Sequence, residues 1–228
     1  MKLLIATRNA HKVAEIRSIL GTGFELLTLN DFSGAPKIVE DANTFAGNAT
    51  KKSVELAKWL SNSSPITHHP SLNFVLADDS GLEVDALNGA PGVYSARFAA
   101  LDKNENSTDA DNNAKLLRLL KNVPPEKRTA RFRCVVALAP VLPAPIESAS
   151  PVCYADELEL QTQLFDGDCE GKIILKPRGQ NGFGYDPLFV PNGFEQTFAE
   201  LGDEIKNQLS HRAKALAKLK LCLDNFSK

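Results

Sequence analysis

The sequence predicts an α/β fold, in a single domain over residues 1–228. Its opening has the order β-α-β-α: a short apolar run, Lys2 to Thr7, is followed by helical spacing that ends at Gly21. A second observation is the continuous apolar run Phe74 to Ala77, which suits a strand buried on both faces of a sheet. A chain of 228 residues with 43% hydrophobic residues is also long enough to bury a sizeable core.

The other elements follow from the same patterns. Phe24 to Leu29 is typical of a second strand, and Asn43 or Thr44 would cap a long second helix. We expect the strand at Phe74 to end at Asp78-Asp79. The spacing further predicts a third helix at Asp109 to Leu120, a strand at Phe132 to Ala139 and an exposed connection at Pro140 to Pro151. We then expect a long strand near Tyr154 to Phe165, a glycine-rich loop at Gly179 to Asp186 and a last helix from about Glu204 to Phe226.

Charge and composition exclude several classes of protein. The formal net charge of −2 argues against a strongly basic nucleic-acid binder. No apolar run approaches the roughly 20 residues of a membrane span, and the N-terminal run is too short for a signal peptide. The 4 cysteines show no C-x-x-C spacing, which favours reduced thiols over a zinc site. We therefore expect a soluble, cytoplasmic protein that binds neither nucleic acid nor membrane.

The junction of the first strand and helix could hold phosphate. Free N–H groups at a helix start attract anions, Thr7 and Asn9 offer short polar side chains, and Lys12 adds a cation. Asn and Thr are also ordinary capping residues, so this segment alone is ambiguous.

Two adjacent carboxylates, Asp78 and Asp79, follow the best buried strand. This is the edge of an α/β sheet where ligands bind, and alternation along the strand would turn only one carboxylate inward. Carboxylate oxygens are what Mg²⁺ prefers, and Glu40 is a candidate second ligand. The alternative is a pair of solvated turn residues, since D-D-S-G suits a turn.

Two further groups of residues could bind a base. The loop Gly182 to Pro187 combines glycines with Phe183 and Tyr185, on which a base could stack. Lys206 and the Ser210-His211-Arg212 run supply hydrogen-bond donors near the last helix. Core aromatics and a solvated basic face are the competing interpretations.

The order of these motifs is more specific than any one of them. T-x-N-x-x-K, A-D-D-S-G-L, G-A-P-G-x-Y-S-A-R, F-G-Y-D-P-x-F and S-H-R succeed one another from Leu4 to Leu223. This succession resembles the ITP/dITP/XTP pyrophosphatases, which act on non-canonical purine nucleoside triphosphates. The resemblance implies a long, twisted, mixed central sheet flanked by helices, two lobes around a deep cleft, and a homodimer. It also implies Mg²⁺-dependent hydrolysis of ITP, dITP or XTP to the monophosphate and pyrophosphate, which removes these purines from the nucleotide pool.

The resemblance also assigns roles to residues. Asp79 would be the general base or a metal-site carboxylate, with Glu40 as the companion Mg²⁺ ligand and Asp78 in support. The residues implied to bind the triphosphate are Thr7, Asn9, Lys12 and Lys52. Those implied for the nucleoside are Phe183, Gly184, Tyr185 and Asp186, and those for the base are Lys206, His211 and Arg212. Ser80 would touch the substrate.

Two features depart from the family. Gly47 stands in Thr44-Phe45-Ala46-Gly47-Asn48-Ala49, where the family often has a glutamate, so one acidic side chain near the metal is absent. The run Pro140 to Asp168 is longer than the usual hairpin.

Two rival functions remain. A pyrophosphatase of similar fold that acts on modified pyrimidine or methylated guanine nucleotides would share the opening strand, loop and helix, but lacks F-G-Y-D-P and S-H-R. A non-catalytic nucleotide sensor or RNA-binding module is the rival from another class, and a sensor would bind ITP without turnover.

Overall fold

A six-stranded sheet organises the fold, with the strand order β2-β1-β3-β4-β5-β6. The computed structural model describes residues 1–62, 72–100, 106–142 and 157–226. Strand β1 is parallel to both β2 and β3, whereas β5 and β6 are antiparallel, so the sheet is mixed and the predicted α/β class is confirmed. The strands β1 to β6 are Lys2–Ile5, Glu25–Thr28, Leu72–Val84, Thr129–Pro140, Gln163–Ile173 and Phe189–Pro191.

The first two helices begin at polar side chains. The Asn9 side chain caps the first helix, and the Thr44 hydroxyl accepts a hydrogen bond from the Gly47 N–H at 3.0 Å at the start of the second. Helices α1 to α6 are Ala10–Leu20, Phe45–Asn62, Asp109–Leu119, Glu157–Gln161, Phe198–Leu209 and His211–Phe226. None of the described helices is long and apolar enough to cross a membrane.

The register of β1 and β3 fixes the position of the predicted acidic pair. Ile5 lies opposite Leu76 in a parallel pairing, and the Ala6 N–H donates to the Leu76 carbonyl at 2.7 Å. The carboxyl ends of parallel strands meet at one edge of a sheet. The chain that leaves β1 toward α1 therefore runs beside Asp78.

The residues group into two compact units, each with its own apolar core. Unit 1 comprises Met1–Asp79, Val135–Phe165 and Leu216–Lys228, and unit 2 comprises Ser80–Cys134 and Asp166–Ala215. Leu4, Ala57, Leu60, Val75 and Ala139 are almost fully buried in the core of unit 1. Leu82, Leu116, Phe189, Phe198 and Tyr185 are buried in that of unit 2.

Two strands differ most from the prediction in their boundaries. Strand β3 does not end at Asp78-Asp79 but continues to Val84, because Leu82 and Val84 are fully buried and extend the apolar pattern beyond the acidic pair. The prediction of a strand near Tyr154 to Phe165 is wrong: α4 covers Glu157–Gln161, and β5 begins only at Gln163. The middle of the predicted Pro140 to Asp168 excursion, residues 143–156, lies outside the described residues.

The predicted last helix is two helices. Ser210 has extended backbone angles, φ −67° and ψ 162°, and its hydroxyl accepts a hydrogen bond from the Ala213 N–H at 3.2 Å. Ser210 therefore ends α5 and caps α6. Serine is favoured at helix starts because its hydroxyl can bind a nearby backbone N–H group. The break places Lys206 in the last turn of α5 and His211 at the first position of α6.

Gly167 of β5 lies close against the backbone of α6, which a side chain at this position would displace. A Cβ atom here would collide with the His211 carbonyl oxygen and lie 2.6 Å from the Ala215 backbone nitrogen. We expect Gly167→Ala to lower the free energy of unfolding by about 1–3 kcal/mol, because backbone atoms cannot yield as a side-chain end can. Gly23→Ala is the matched control, since nothing lies within 4 Å of its Cβ position. Denaturant unfolding of both variants tests this; equal effects would contradict it.

Candidate active site

Both carboxylates of the acidic pair are buried in β3, and a lysine faces each of them. The Asp78 side chain is 1% exposed, and its Oδ2 atom lies 3.0 Å from Nζ of Lys12. Asp79 Oδ2 accepts a hydrogen bond from Asn48 Nδ2 at 3.0 Å, and Asp79 Oδ1 lies 3.7 Å from Nζ of Lys52. Since neither aspartate is solvated, the alternative of a surface turn is wrong.

The ammonium group of Lys52 brings the predicted acidic residues together. It donates to the Asp78 carbonyl oxygen at 2.6 Å and to Glu40 Oε2 at 3.2 Å, in addition to its contact with Asp79. Helix α2 supplies the lysine, β3 supplies Asp79, and the segment before α2 supplies Glu40. The structure therefore places Glu40 and Asp79 around a single cation.

Burial and charge shift the pKa values of this cluster. Burial alone would lower the pKa of Lys52, but the negative charges of Asp79, Glu40 and Asp78 outweigh it and the pKa is raised. For Asp79, burial raises the pKa and outweighs the opposing effects of Lys52, Lys12 and Asn48. A carboxylate with a raised pKa is a better proton acceptor than an ordinary aspartate.

Asn48 is a site residue that sequence analysis missed. It is 1% exposed, and its two ends bind different segments: Nδ2 donates to Asp79, and Oδ1 accepts from the Ala42 N–H at 2.9 Å. The amide thereby joins Asp79 to the segment that carries Glu40. A signal existed, because Asn48 interrupts the apolar face of α2 beside Phe45 and Ala49, where an unpaired amide would be costly.

Gly47 lies where the family often has a glutamate. A Cβ atom at this position would be 2.8 Å from the Ala42 Cβ and 3.1 Å from the Thr44 hydroxyl. A larger side chain would therefore displace the same segment that Asn48 holds. The close approach of Ala42 therefore depends on the absence of a side chain at Gly47.

The predicted phosphate-binding turn is only partly open. Asn9 Oδ1 accepts hydrogen bonds from the N–H groups of His11 at 2.9 Å and Lys12 at 3.2 Å, and the Thr7 hydroxyl accepts from the Asn9 N–H at 3.1 Å. The expectation that these two helix-start N–H groups are free is thus corrected, because the capping role of Asn9 satisfies them. Asn9 itself is exposed, and Lys12 reaches the acidic pair.

The donor set fits magnesium that is bound together with a phosphate ligand. The described residues contain no group of three or more His, Cys, Asp or Glu that could hold a metal ion alone. Magnesium typically takes one or two protein carboxylates and completes its shell with water and substrate phosphates. Glu40 and Asp79, which share the contact with Lys52, provide that number of carboxylates.

In unit 2, Asp186 organises the predicted nucleoside loop. Its Oδ2 atom accepts hydrogen bonds from the Phe183 N–H at 2.9 Å and from Nζ of Lys206 at 2.6 Å, and Asp186 and Lys206 are each 2% exposed. Gly182 has φ +77°, and a Cβ atom there would collide with Asp186 Oδ2. The glycine is therefore needed for both its backbone angle and its lack of a side chain.

The half-buried Phe183 ring is close to two cations. Nζ of Lys206 lies 4.5 Å from the ring centroid, and Cζ of Arg212 lies 5.9 Å from it. Arg212 also donates to the Ser80 hydroxyl at 2.8 Å. Four predicted substrate-binding residues, far apart in sequence, thus form one cluster of an aromatic ring, two cations and a hydroxyl.

Tyr185 and His211, two further predicted site residues, are buried. Tyr185 is 3% exposed and its hydroxyl donates to the Ser95 carbonyl at 2.9 Å, while burial and then Asp109 raise its pKa. His211 is 4% exposed and stacks on Phe132 with 4.8 Å between ring centroids. The structure therefore gives Tyr185 a packing role, in place of the predicted stacking face. Gly184 is hydrogen-bonded to α3, at Asp109 and Asn113, which sequence analysis also missed.

This chain is similar to named and solved proteins over nearly its whole length. The protein named dITP/XTP pyrophosphatase from Desulforamulus reducens is 46% identical over 219 residues, which is 96% of this chain and 93% of that protein. The one from Exiguobacterium sibiricum is 44% identical over 227 residues, covering 99% and 98%. The solved HAM1 protein from Coxiella burnetii has a TM-score of 0.76 at 34% identity, over 99% of both chains.

A family model extends this likeness along the chain. The model described as the Ham1 family matches residues 3–222 and so covers every candidate residue in both units. The family predicted from the order of the motifs is confirmed. With relatives of closely similar length and solved structures of the same fold, the chain belongs to the Ham1 family.

Proposed function

We propose that this chain is a Mg²⁺-dependent nucleoside triphosphate pyrophosphatase that hydrolyses ITP, dITP and XTP to the monophosphate and pyrophosphate. One observation carries the proposal: the buried carboxylate of Asp79 shares the Lys52 ammonium with Glu40, while Lys12 pairs with the adjacent Asp78. The names of the relatives supply the substrate class, dITP and XTP. Removal of these purines from the nucleotide pool is the cellular role we infer.

The chemistry follows from the unit 1 cluster. Asp79 would orient a water molecule toward the α phosphorus and accept its proton as the new P–O bond forms. The bond to the β-phosphate oxygen breaks, and pyrophosphate leaves with the electron pair. Lys12 and Lys52 would offset the negative charge that develops on it. Magnesium, held by Glu40 and Asp79 and by the phosphates, would supply further charge neutralisation when bound.

The unit 2 cluster would select the base. A purine can stack on Phe183, with cations close to the ring. Inosine and xanthine carry an oxo group at position 6 where adenine has an amino group. Hydrogen-bond donors from Lys206, His211 or Arg212 would pair with the oxo group of inosine or xanthine. In adenine the same donors would face an amino group, which is itself a donor. Ser80, Gly184 and Asp186 would contact or shape the nucleoside, and Thr7 and Asn9 would bind phosphate.

The rest of the proposal concerns the setting of the enzyme. We infer a homodimer and a cytoplasmic location, both from the family resemblance and the composition of the chain. The free thiols of Cys134, Cys169 and Cys222 are consistent with a reducing compartment.

A product assay in ¹⁸O-labelled water separates the enzyme from a nucleotide sensor. We expect pyrophosphate and singly labelled monophosphate from dITP, ITP and XTP, much slower turnover of dATP, and no turnover in excess chelator until Mg²⁺ is restored. Attack at the α phosphorus puts the label in the monophosphate. Label in pyrophosphate, release of orthophosphate, or tight binding without turnover would contradict the proposal.

Removal of the Asp79 charge should abolish most of the turnover without loss of the fold. We expect Asp79→Asn to lower kcat by about 100-fold or more, because the amide keeps the shape of the side chain but neither accepts the proton nor holds the metal. Asp41→Asn is the matched control, since Asp41 is exposed and pairs with the partly exposed Lys51 at 2.6 Å. Steady-state rates and thermal unfolding of both variants test this. An active Asp79→Asn enzyme would remove the aspartate from the mechanism.

A further inference from the structure

Helix α3 binds the backbone of the nucleoside loop at a single residue. Oδ2 of Asp109 accepts a hydrogen bond from the Gly184 N–H at 2.7 Å, and Nδ2 of Asn113 donates to the Gly184 carbonyl oxygen at 2.9 Å. Asp109 and Asn113 are four residues apart, so they lie on the same face of the helix. Two side chains thus saturate the donor and the acceptor of one residue.

Gly184 has open space on the side where a side chain would lie. Its φ is +62°, and nothing lies within 4 Å of its Cβ position. On either side the chain is fixed by other means, because Asp186 binds the Phe183 N–H and Tyr185 is anchored to Ser95. The two bonds from α3 therefore hold the Gly184 peptide between the half-buried Phe183 ring and the buried Tyr185 ring.

We propose that Asp109 and Asn113 are positioning residues that hold Phe183 in the orientation used for base recognition. They bind the Gly184 backbone and would act on the Phe183 ring through it. The bond to Asp109 is charge-assisted and so stronger than a neutral one. This inference rests on the proposed function, in which Phe183 stacks on the purine.

The first experiment measures the contact itself, in the absence of substrate. We expect the Gly184 amide to exchange with deuterium at least about tenfold faster in Asp109→Ala than in the wild type, since its acceptor is lost. In Asp109→Asn the side-chain oxygen can still accept, so exchange should stay near the wild-type rate. Unchanged exchange in Asp109→Ala would overturn the inference.

The second experiment measures the effect on recognition. We expect Asp109→Ala and Asn113→Ala each to raise KM for dITP measurably, by up to about tenfold. The kcat should change less than about twofold, because only binding of the base is disturbed. Asp109→Asn should restore most of the affinity. In a Phe183→Ala background, Asp109→Ala should have no further effect, since the ring that it positions is absent.

Asp111→Ala is the matched control. Asp111 lies in the same first turn of α3, but its carboxylate accepts from the Thr108 hydroxyl at 2.7 Å and does not reach the loop. It reproduces the loss of negative charge at the helix start and should leave KM unchanged. If Asp111→Ala raises KM as much as Asp109→Ala does, the effect comes from the lost negative charge at the start of α3. The contact with Gly184 then does not explain it, and the inference is wrong.

The outcomes separate this inference from the proposed function. A wild-type enzyme that does not hydrolyse dITP or XTP refutes the proposed function, while amide exchange at Gly184 still reports on the contact with Asp109. An active wild type in which the effects of Asp109→Ala and Phe183→Ala multiply refutes the positioning role and leaves the proposed function standing.

Discussion

The buried ammonium of Lys52 is the interaction on which the rest of the unit 1 cluster depends. The buried carboxylate of Asp79 loses hydration and is repelled by Glu40, whose side chain is 40% exposed, so its burial depends on a nearby cation. Lys52 provides this charge for Glu40 and Asp79 and also binds the Asp78 carbonyl of β3. The same cation is suited to a triphosphate, because its charge is already held in place before an anionic ligand arrives.

The two units contain different chemistry, and each is arranged by its own buried ion pair. Unit 1 has carboxylates and lysines, which suit metal and phosphate. Unit 2 has the Lys206 and Asp186 pair, at 2.6 Å, beside the Phe183 ring, which suits a flat, hydrogen-bonding base. The chain passes directly from one set to the other along β3, from Asp79 to Ser80.

The sequence predicted the elements that carry periodic apolar patterns, and the candidate residues meet within each unit: Glu40 and Asp79 at Lys52, and Phe183 with Lys206 and Arg212. The sequence could not show how polar groups share partners. Ser210 divides the last helix because its hydroxyl caps α6, although the apolar spacing continues through the break. Asn48 and Asp109 were missed because their roles depend on contacts over long sequence separations, with Asp79 and with Gly184. Tyr185 was given a stacking role because the sequence does not reveal that its hydroxyl is satisfied inside the core.

The most direct test of the account is whether Lys52 balances the charge of Asp79. The measurement is the free energy of unfolding of Lys52→Met, Asp79→Asn and the double variant, with Lys51→Met as the control on the neighbouring, more exposed lysine. We expect Lys52→Met to be strongly destabilising, because it leaves a buried carboxylate uncompensated, and Asp79→Asn to recover about 1 kcal/mol or more of that loss in the double variant. Lys51→Met should differ little from the wild type. If the losses of the two single variants simply add, Lys52 does not compensate Asp79, and the account of the cluster is wrong.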